Sequence, residues 1–411
     1  MTAGVRPIFD VAVVGAGLVG LATARHLLLE RPELRLVVVE KEAEVAGHQS
    51  GHNSGVVHAG LYYAPGSLKA TLCREGKAAL EAYCEQKGIP LEHPGKLVVA
   101  LSDDELPRLA ALHERATANG VPGLELVGPE RIREIEPHAA GIKALWSPST
   151  GIVDFRRVAM SYADDVRAAG GSIETGREVT SIEERPNEIV LHTGGGDILA
   201  RSVVTCAGLW ADRVARMTRG TDGTDGAGPH IVPFRGDYYT LTPAARPLVN
   251  GLLYPVPDPS FPFLGVHFTK RIDGEVWAGP NAVLAFARDG YRRRDISPRD
   301  LAGTLTYPGF LRLATRYLQT GLAEMWRDWS KGAFLQELQR YLPELRSEDI
   351  AFGPSGVRAQ ALARDGTMVD DFDFGGSGRV LHVRNAPSPA ATASLAIGRV
   401  IAERIRGAFA L

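Results

Sequence analysis

The sequence predicts an α/β fold with two domains, one built on a parallel sheet flanked by helices and the other, an α+β domain, on a discontinuous antiparallel sheet. The chain opens with an apolar strand, a glycine-rich turn and a helix. Strand and helix patterns then alternate to residue 232, and from residue 233 aromatic and β-branched segments typical of antiparallel strands take over. With 411 residues, 45% of them apolar, the chain is long enough to form both cores.

The first strand and turn carry the clearest motif. Residues 10–14 are small or β-branched, which fits a strand buried on both faces. Gly15, Gly17 and Gly20 follow with the spacing G-x-G-x-x-G. In this spacing the first glycine allows a tight turn, the second lets a pyrophosphate approach, and the third lets the helix pack on the strand. The helix predicted over residues 18–29 would point its N-terminus at the phosphates.

A second strand and an acid complete this unit. Residues 34–39 read as a strand, and Glu40 at its carboxyl end can hold the ribose hydroxyls of an adenosine. Because Glu40 would repel a 2′-phosphate, the motif predicts a Rossmann-like site for a dinucleotide without that group.

Composition argues against several classes of protein. A net charge of −2 gives no basic surface for nucleic acid. Cys73 and Cys84 lie on one predicted helix, too far apart for a disulfide, which favours a cytoplasmic location. The apolar stretch 11–29 is interrupted by Arg25, and no other segment is long and apolar enough to span a bilayer. No metal site is predicted.

Residues 47–63 form the densest polar stretch, with three histidines, four glycines and two tyrosines. This composition favours a loop that wraps a polar ligand. Gly55 and Gly60 allow close backbone approach. The side chains able to hydrogen-bond phosphates or a heteroaromatic ring are Gln49, Ser50, Asn53 and Ser54.

The rest of the chain divides into further predicted elements. Helices are predicted over residues 68–87, 103–119, 129–135, 156–169, much of 299–345, and 389–408. Strands are predicted over 92–101, 172–174, 178–183, 189–192, 198–200, 202–206, 238–241, 264–269 and 275–279. Residues 151–155 are interpreted as an entry loop, 194–197 as a hairpin turn and 220–228 as a mobile surface loop. We predict a discontinuous cofactor domain (1–90, 150–232, 350–411) and a substrate domain (91–149, 233–349).

Three groups of segments resemble one protein family. Residues 10–63 resemble the FAD-binding opening of the D-amino-acid-oxidase-like flavoproteins, and the segment HQSGHNSGVVH at 48–58 is similar to the signature of the L-2-hydroxyglutarate dehydrogenases (oxidases). Residues 233–239 with 264–269, and 356–360 with 382–392, extend the resemblance over the full length. The resemblance implies FAD as cofactor, L-2-hydroxyglutarate as substrate and 2-oxoglutarate as product.

The motifs and the resemblance together give a set of expected cofactor contacts. In the resembled superfamily the positions of Val179, Ala207 and Gly208 border the adenosine half of FAD. The small residues from Pro389 onward are expected to open the last helix and face the flavin edge. The full set is Gly15, Ala16, Gly17, Leu18, Val19, Gly20, Glu40, Lys41, Gln49, Ser50, Asn53, Ser54, Gly55, Val56, Val179, Ala207, Gly208, Gly356, Arg358, Pro389, Ala390, Ala391 and Thr392.

Oxidation of a 2-hydroxy acid requires a hydride acceptor, a base and cations for the carboxylates. Arg235 and Arg358 are candidate carboxylate ligands, although either can instead hold a structural salt bridge. His58 or His267 is the candidate base, because imidazole titrates near working pH. Candidate hydrogen-bond donors to the substrate are Tyr62, Tyr239 and Tyr254.

Other functions stay open at this stage. One is another enzyme of the superfamily that oxidises an amino acid or a secondary amine. Another is an NAD dehydrogenase or a non-catalytic dinucleotide-binding protein. The sequence also leaves open the electron acceptor (oxygen, a quinone or a protein carrier), covalent attachment of the flavin to a histidine, and the oligomeric state.

Residues 307–345 carry an apolar helical face, formed by Leu311, Ala314, Leu318, Leu322, Met325 and Trp329. One interpretation is that this face packs internally as core. The other is a peripheral contact with the inner face of the cell membrane, where a lipid-soluble quinone would take the electrons.

Overall fold

The structure, a computed structural model, describes residues 7–218, 228–258 and 265–409. The strands are β1 (Ile8–Val14), β2 (Leu36–Val39), β3 (Val56–Val57), β4 (Leu91–Glu92), β5 (Lys96–Ala100), β6 (Glu125–Val127), β7 (Lys143–Ser147), β8 (Gly151–Val153), β9 (Ser172–Glu174), β10 (Val179–Glu184), β11 (Ile189–Thr193), β12 (Ile198–Thr205), β13 (His230–Leu241), β14 (Leu252–Pro255), β15 (His267–Lys270), β16 (Val276–Gly279), β17 (Val283–Leu284), β18 (Ile350–Leu362), β19 (Asp373–Ser377) and β20 (Val380–Asn385). The α-helices are α1 (Leu18–Glu30), α2 (Leu68–Lys87), α3 (Leu106–Ala118), α4 (Pro129–Ile135), α5 (Phe155–Ala168), α6 (Ala211–Ala215), α7 (Pro298–Leu305), α8 (Pro308–Arg316), α9 (Leu318–Trp329), α10 (Lys331–Gln339) and α11 (Ser394–Phe409).

The chain folds into two compact units, each built from separate stretches of sequence. The first unit contains Met1–Gly51, Phe155–Val232 and Ala359–Leu411. The second contains His52–Asp154 and Pro233–Arg358.

The first unit is organised by a sheet in the order β10-β11-β12-β1-β2-β9, with β20 pairing β12 and β19 pairing β20. β1 lies at its centre, parallel to both β2 and β12, and Val11, Ala12 and Val13 are fully buried there. α1 packs against α5 and α11. The approach of α11 is close, because a side chain at Gly398 would meet the Ala22 backbone. The predicted parallel sheet is present over β9, β2, β1, β12 and β20, whereas β10, β11 and β19 pair antiparallel and make the sheet mixed.

The second unit contains a nine-stranded sheet in the order β17-β13-β16-β15-β14-β5-β7-β6, with β18 pairing β13. Successive residues of its strands face two different hydrophobic cores. Leu97 and Leu253 belong to one buried cluster, whereas Val98 and Tyr254 belong to the other. A separate three-stranded sheet has the order β3-β8-β4.

Several sequence predictions are corrected by these elements. Residues 151–155 are not simply an entry loop, because Gly151 and Ile152 pair with β3 as strand β8. The same pairing places residues 52–90 in the second unit rather than with the predicted cofactor domain. The final helix begins at Ser394, and the residues from Pro389 to Ala393 form turns before it. The predicted loop at 220–228 lies outside the described residues except for Gly228.

The helical segment 307–345 is divided rather than continuous. α8 ends at Arg316 and α9 at Trp329, and Ser330 then caps α10 by accepting a hydrogen bond from the Ala333 N–H. A helix-period pattern across these breaks cannot describe one straight face, because each break changes the direction of the chain.

Candidate active site

The turn after β1 contains glycines that serve two different purposes. Gly15 has φ +107°, and a side chain there would overlap the Cys206 carbonyl oxygen. A side chain at Gly20 would overlap the carbonyl oxygen of Gly15. At Gly17, by contrast, an added Cβ would meet only the Ser50 hydroxyl, at 3.0 Å. The protein's own backbone therefore explains glycine at 15 and 20, whereas Gly17 leaves a side of the turn clear for a ligand.

The start of α1 is arranged by two side chains from the following segment. The Glu40 carboxylate accepts hydrogen bonds from the Ala16 N–H (2.7 Å) and the Glu42 N–H (3.0 Å). The Leu18 N–H donates to the Ser50 hydroxyl at 2.9 Å, and no side chain caps the helix at Gly17. These bonds fix Glu40 at the carboxyl end of β2 with its carboxylate directed at the turn.

The other predicted cofactor residues divide between the units. The first unit holds Lys41, whose Nζ lies 5.4 Å from the centroid of the Trp210 ring, and Gln49, whose Oε1 lies 3.0 Å from a Cβ built at Gly208. Also in this unit are Val179, Ala207, Pro389, Ala390, Ala391 and Thr392. The second unit holds Asn53, Ser54, Gly55, Val56, Gly356 and Arg358. Each unit thus contains part of the predicted set.

A buried polar cluster lies within the second unit. The rings of Tyr254 and His267 stack with their centroids 3.9 Å apart. The Lys96 Nζ lies 4.0 Å from the centroid of the Tyr254 ring and 5.3 Å from that of Tyr62. The Nδ1 atom of His267 is 2.9 Å from the Gly265 carbonyl oxygen. Since a carbonyl only accepts, Nδ1 carries the proton and Nε2 keeps a lone pair.

The cluster suppresses positive charge on its histidines. Burial, together with smaller repulsive effects of Lys96 and Arg358, lowers the pKa of His267 to about 3. Desolvation likewise lowers the pKa of His58 to about 3, with Lys96 and His267 contributing. Desolvation also lowers the pKa of Lys96, to about 7. Both imidazoles are therefore neutral at physiological pH.

The two predicted carboxylate ligands differ in their surroundings. The positive charge of Arg358 acts to lower the pKa values of His267, Tyr254 and Tyr238, so Arg358 influences the protonation of the cluster. The Arg235 Nε donates to both carboxylate oxygens of Asp237, at 3.0 and 3.1 Å, and its Nη2 lies 3.6 Å from Asp328.

Arg235 is only 4% exposed. A substrate role for Arg235 stays a prediction, and the pairing of its guanidinium with Asp237 and the buried Asp328 favours the alternative, a structural salt bridge.

The three tyrosines predicted to contact the substrate lie in two different parts of the second unit. Tyr62 and Tyr254 belong to the Lys96 cluster, as described above. Tyr239 instead packs against Phe334 and Phe352, with ring centroids 4.8 and 4.9 Å away, in a different core. Successive residues of a strand point to opposite faces, so it is the neighbouring Tyr238 that lies on the Arg358 side. The substrate contact at Tyr239 stays a prediction: its ring packs in this other core, and its buried hydroxyl has no hydrogen-bond partner in the protein.

The described ranges contain neither a membrane-spanning helix nor a cluster of metal ligands. No helix in these ranges is long and apolar enough to cross a membrane. The same residues contain no group of three or more His, Cys, Asp or Glu side chains arranged to hold a metal ion.

Comparison with known proteins identifies the family. A family model described as "FAD dependent oxidoreductase" matches residues 10–404. The chain belongs to the FAD-dependent oxidoreductase family. Its relatives include proteins named L-2-hydroxyglutarate dehydrogenase: a human mitochondrial protein is 50% identical (98% of this chain, 90% of the relative) and an Escherichia coli protein 44% identical (97% and 93%). Within the FAD-dependent oxidoreductases, the chain belongs with the L-2-hydroxyglutarate dehydrogenases, as the resemblance predicted.

Solved structures of FAD-dependent oxidoreductases share the fold at low sequence identity. L-α-glycerophosphate oxidase from Mycoplasma pneumoniae, solved with FAD bound, aligns with a TM-score of 0.78 at 22% identity, covering 98% of this chain and 95% of that one. Glycine oxidase from Geobacillus kaustophilus aligns with a TM-score of 0.72 at 20% identity, covering 97% and 95%. The predicted fold class is confirmed.

The first unit fits the cofactor that gives the FAD-dependent oxidoreductases their name. Gly17 leaves room for a pyrophosphate, and α1 directs its N-terminus there without a side-chain cap. Glu40 retains lone pairs for ribose hydroxyls after accepting its two backbone bonds. These residues are of the right chemical type for the adenosine diphosphate part of FAD.

Sequence reasoning missed three residues of the second unit. Lys96 and Tyr238 lie in the predicted strands 92–101 and 238–241 but are not among the predicted site residues, and Arg271 lies in no predicted element. The Arg271 guanidinium lies 3.8 Å from the Trp277 ring and donates to the Asn53 carbonyl oxygen at 2.9 Å. The sequence contains one signal for Lys96, which directly precedes the apolar run Leu97–Ala100 of a predicted buried strand. A lysine in such a strand is rarely buried unless it has a specific role.

Proposed function

We propose that this protein oxidises L-2-hydroxyglutarate to 2-oxoglutarate with FAD, on the support of its near 50% identity to proteins named for that substrate. The observation that carries the proposal is the second-unit cluster, in which the neutral His267 lies under the influence of Lys96 and Arg358. An acceptor nitrogen beside two cations is suited to a 2-hydroxy dicarboxylic acid.

The residues of the cluster take distinct roles in this proposal. FAD, held by the first unit, supplies the hydride acceptor. His267 Nε2 accepts the proton of the substrate hydroxyl, and Arg358 binds a carboxylate and orients it. Burial raises the pKa of both Tyr254 and Tyr238 above the ordinary value, so both hydroxyls stay protonated and can donate hydrogen bonds.

Substrate binding strengthens the base. Lys96 and Arg358 each lower the pKa of His267 by repelling its protonated form. Two bound carboxylates offset these positive charges, so the pKa of His267 rises in the complex. The histidine is thus a better proton acceptor when substrate is present than when it is absent.

The proposed function is tested by the visible spectrum of the purified protein under anaerobic conditions. We expect an oxidised-flavin band that L-2-hydroxyglutarate bleaches within seconds, whereas D-2-hydroxyglutarate, L-glutamate and glycine leave it unchanged. Bleaching by an amino acid or a secondary amine instead would favour the other enzymes of the superfamily. A colourless protein after flavin reconstitution would contradict the proposal.

A matched pair of glycine variants serves as control for the cofactor site. Gly17→Val should fold but lose the flavin band, because its side chain meets only Ser50 within the protein yet fills the space left for a pyrophosphate. Gly20→Val should lose the fold itself, because the added side chain overlaps the Gly15 carbonyl.

We propose further that α8 and α9 dock on an anionic bilayer and bring the reduced cofactor within reach of a membrane quinone. Their apolar residues are exposed: Leu318 and Leu322 are each 59% exposed, Trp326 67% and Trp329 76%. Arg312 and Arg316 on α8 supply cations of the kind that accompany an interfacial helix. Internal packing, the alternative interpretation, is not supported for these exposed side chains.

Flotation with anionic liposomes tests the membrane proposal. Wild-type protein should float with the vesicles, and Trp326→Glu/Trp329→Glu should stay at the bottom, because charged residues cannot enter the apolar layer. Leu29→Glu/Met160→Glu is the matched control, since Leu29 and Met160 are also exposed apolar residues but lie in the first unit. Equal flotation of the Trp variant and wild type would rule out this face as the membrane contact.

A further inference from the structure

Lys96 is a buried cation without a buried anion. It begins β5 and is 1% exposed, which makes it one of the largest fully buried side chains of the described chain. No ion pair joins it to an acid in residues 7–218, 228–258 or 265–409, and the group that favours its charge is the Cys73 thiol. Burial raises the pKa of the Cys73 thiol to about 12. Burial and the negative charge of Glu81 also raise the pKa of Cys84, the second cysteine of α2. Neither thiol therefore supplies an anion near neutral pH.

The aromatic rings around Lys96 compensate for its burial only in part. Its Nζ lies over the faces of Tyr254 and Tyr62, at 4.0 and 5.3 Å. Cation–π contacts recover less free energy than the removal of an ammonium group from water costs. Accordingly the pKa of Lys96 falls to about 7. The site lacks a negative charge that would hold the lysine fully protonated.

A second unsatisfied group lies beside Lys96. The Tyr62 hydroxyl is buried and has no hydrogen-bond partner in the protein. Burial raises its pKa well above the ordinary value, so it is a donor rather than an anion. Buried polar groups are nearly always paired in native proteins. A buried ammonium without an ion pair and a buried hydroxyl without a hydrogen-bond partner, both of them donors, define a place for an acceptor with negative charge.

The charges of the whole cluster indicate how much negative charge it accepts. His58 and His267 are neutral, and Tyr62 and Tyr254 are protonated. The charged members are Lys96 and Arg358. The nearby Arg271 is accompanied by Asp273, whose carboxylate lies 3.9 Å from its Nε. A ligand carboxylate beside Lys96 would supply the negative charge that this part of the cluster lacks, whereas a ligand without one would leave the buried lysine unmatched.

We propose that Lys96, with the Tyr62 hydroxyl, binds the second carboxylate of a dicarboxylic substrate and so selects dicarboxylic over monocarboxylic 2-hydroxy acids. This proposal deepens the function proposed above and rests on it for the identity of the substrate. Arg358 takes the other carboxylate. The selectivity arises because a monocarboxylic acid would be buried against an ammonium that it leaves unpaired.

Ligand binding without turnover provides the first test. The holoenzyme is titrated calorimetrically with glutarate and with pentanoate, which share a five-carbon chain and differ by one carboxylate. Wild type should bind glutarate at least about 30-fold more tightly, as expected for a buried charge pair. Lys96→Met, which retains the bulk of the side chain without its charge, should lose that preference, with glutarate bound more weakly than by wild type and pentanoate bound no more weakly.

Two further variants guard against a purely structural effect. Tyr62→Phe removes only the unpaired hydroxyl and should weaken glutarate several-fold while leaving pentanoate unchanged. Lys143→Met removes an exposed lysine from β7, a neighbour of β5 in the sheet, and should change neither affinity. Flavin content and the melting temperature confirm that each variant is folded. If Lys96→Met does not fold, the inference is tested instead by whether Tyr62→Phe weakens glutarate binding while leaving pentanoate binding unchanged.

Turnover separates this inference from the proposed function. On L-2-hydroxyglutarate, Lys96→Met should lose at least about 30-fold in kcat/KM, and it should lose much less on L-2-hydroxypentanoate, so that the ratio of kcat/KM between the two acids falls. If the variant retains the wild-type preference, or weakens both acids equally, the inference is overturned. If wild type fails to oxidise L-2-hydroxyglutarate yet prefers glutarate through Lys96, the inference stands and the proposed function fails.

Discussion

Replacement of His267 by asparagine is expected to slow anaerobic flavin reduction by L-2-hydroxyglutarate by about 10²- to 10⁴-fold, the range typical of a lost general base. Asparagine is the informative substitution because its amide can still donate to the Gly265 carbonyl, as Nδ1 does now, while it places nothing where Nε2 was. Substrate affinity should change little. The measurement is single-turnover stopped flow at saturating substrate.

The pH dependence gives His267 a second, independent signature. The base must be neutral, so activity falls as the pH drops through its pKa. Because burial lowers this pKa to about 3 in the free enzyme, the acidic limb of kcat/KM should lie well below the ordinary value of 6.5. The groups that face the ring are Tyr254, Lys96, His58 and Arg358, and two substrate carboxylates offset both cations. The acidic limb of kcat should therefore lie at higher pH than that of kcat/KM.

His58→Asn is the comparison for this experiment. Desolvation keeps His58 neutral as well, and its carbonyl is bound by the Cys73 thiol at 3.3 Å. If His58→Asn abolishes rapid flavin reduction and His267→Asn retains it, His58 is the base and His267 is not. If both variants reduce flavin at the wild-type rate, neither is the base and the proton leaves by another route.

Replacement of Arg358 by alanine is expected to lower kcat/KM by about 100-fold or more. Removal of one desolvated arginine–carboxylate contact costs about 2–5 kcal/mol, and 1.4 kcal/mol corresponds to a factor of about ten. Arg358→Lys should recover little of this loss, because lysine lacks the planar fork that holds a carboxylate with two bonds. The measurement is steady-state oxidation of L-2-hydroxyglutarate, with near-normal kinetics in Arg358→Ala excluding the residue from the site.

Arg235 provides the matched control for Arg358. Arg235→Ala leaves the carboxylates of Asp237 and Asp328 with the more exposed Arg293 as their shared cation, and loss of one partner of a buried ion pair costs about 3–5 kcal/mol of stability. The expected result is a lower unfolding midpoint, with little effect on kcat/KM in the protein that remains folded. The same assays on both variants thus distinguish a substrate ligand from a structural ion pair.

The sequence was most informative where local rules determine the structure. The β1 turn follows from the spacing of Gly15, Gly17 and Gly20, and each position has the expected steric reason. The helix predicted over 68–87 matches α2, because Ser67 caps its start and Gly88, with φ +63°, ends it. Such signals lie within a few residues of each other and need no knowledge of the tertiary fold.

Predictions that depend on distant partners were less successful. A strand pattern placed Tyr238 and Tyr239 on opposite faces but could not say which face holds the cluster. Nothing near Arg235 in sequence indicates Asp328, which arrives from α9. Lys96 draws its importance from Tyr254 and His267, which lie more than 150 residues away in the chain. These positions are decided by tertiary contacts rather than by local propensity.

The pairing of β1 also constrains the synthesis of the protein. Its neighbour β2 is made soon after it, but its other neighbour β12 follows only after the whole 52–154 segment has emerged, and β20 completes this part of the sheet near the C-terminus. α11, which packs against α1, is made last. A nascent chain must therefore carry β1 with one open edge through the first half of translation. Loss of even the final helix would take from the earliest helix one of the two helices that pack against it.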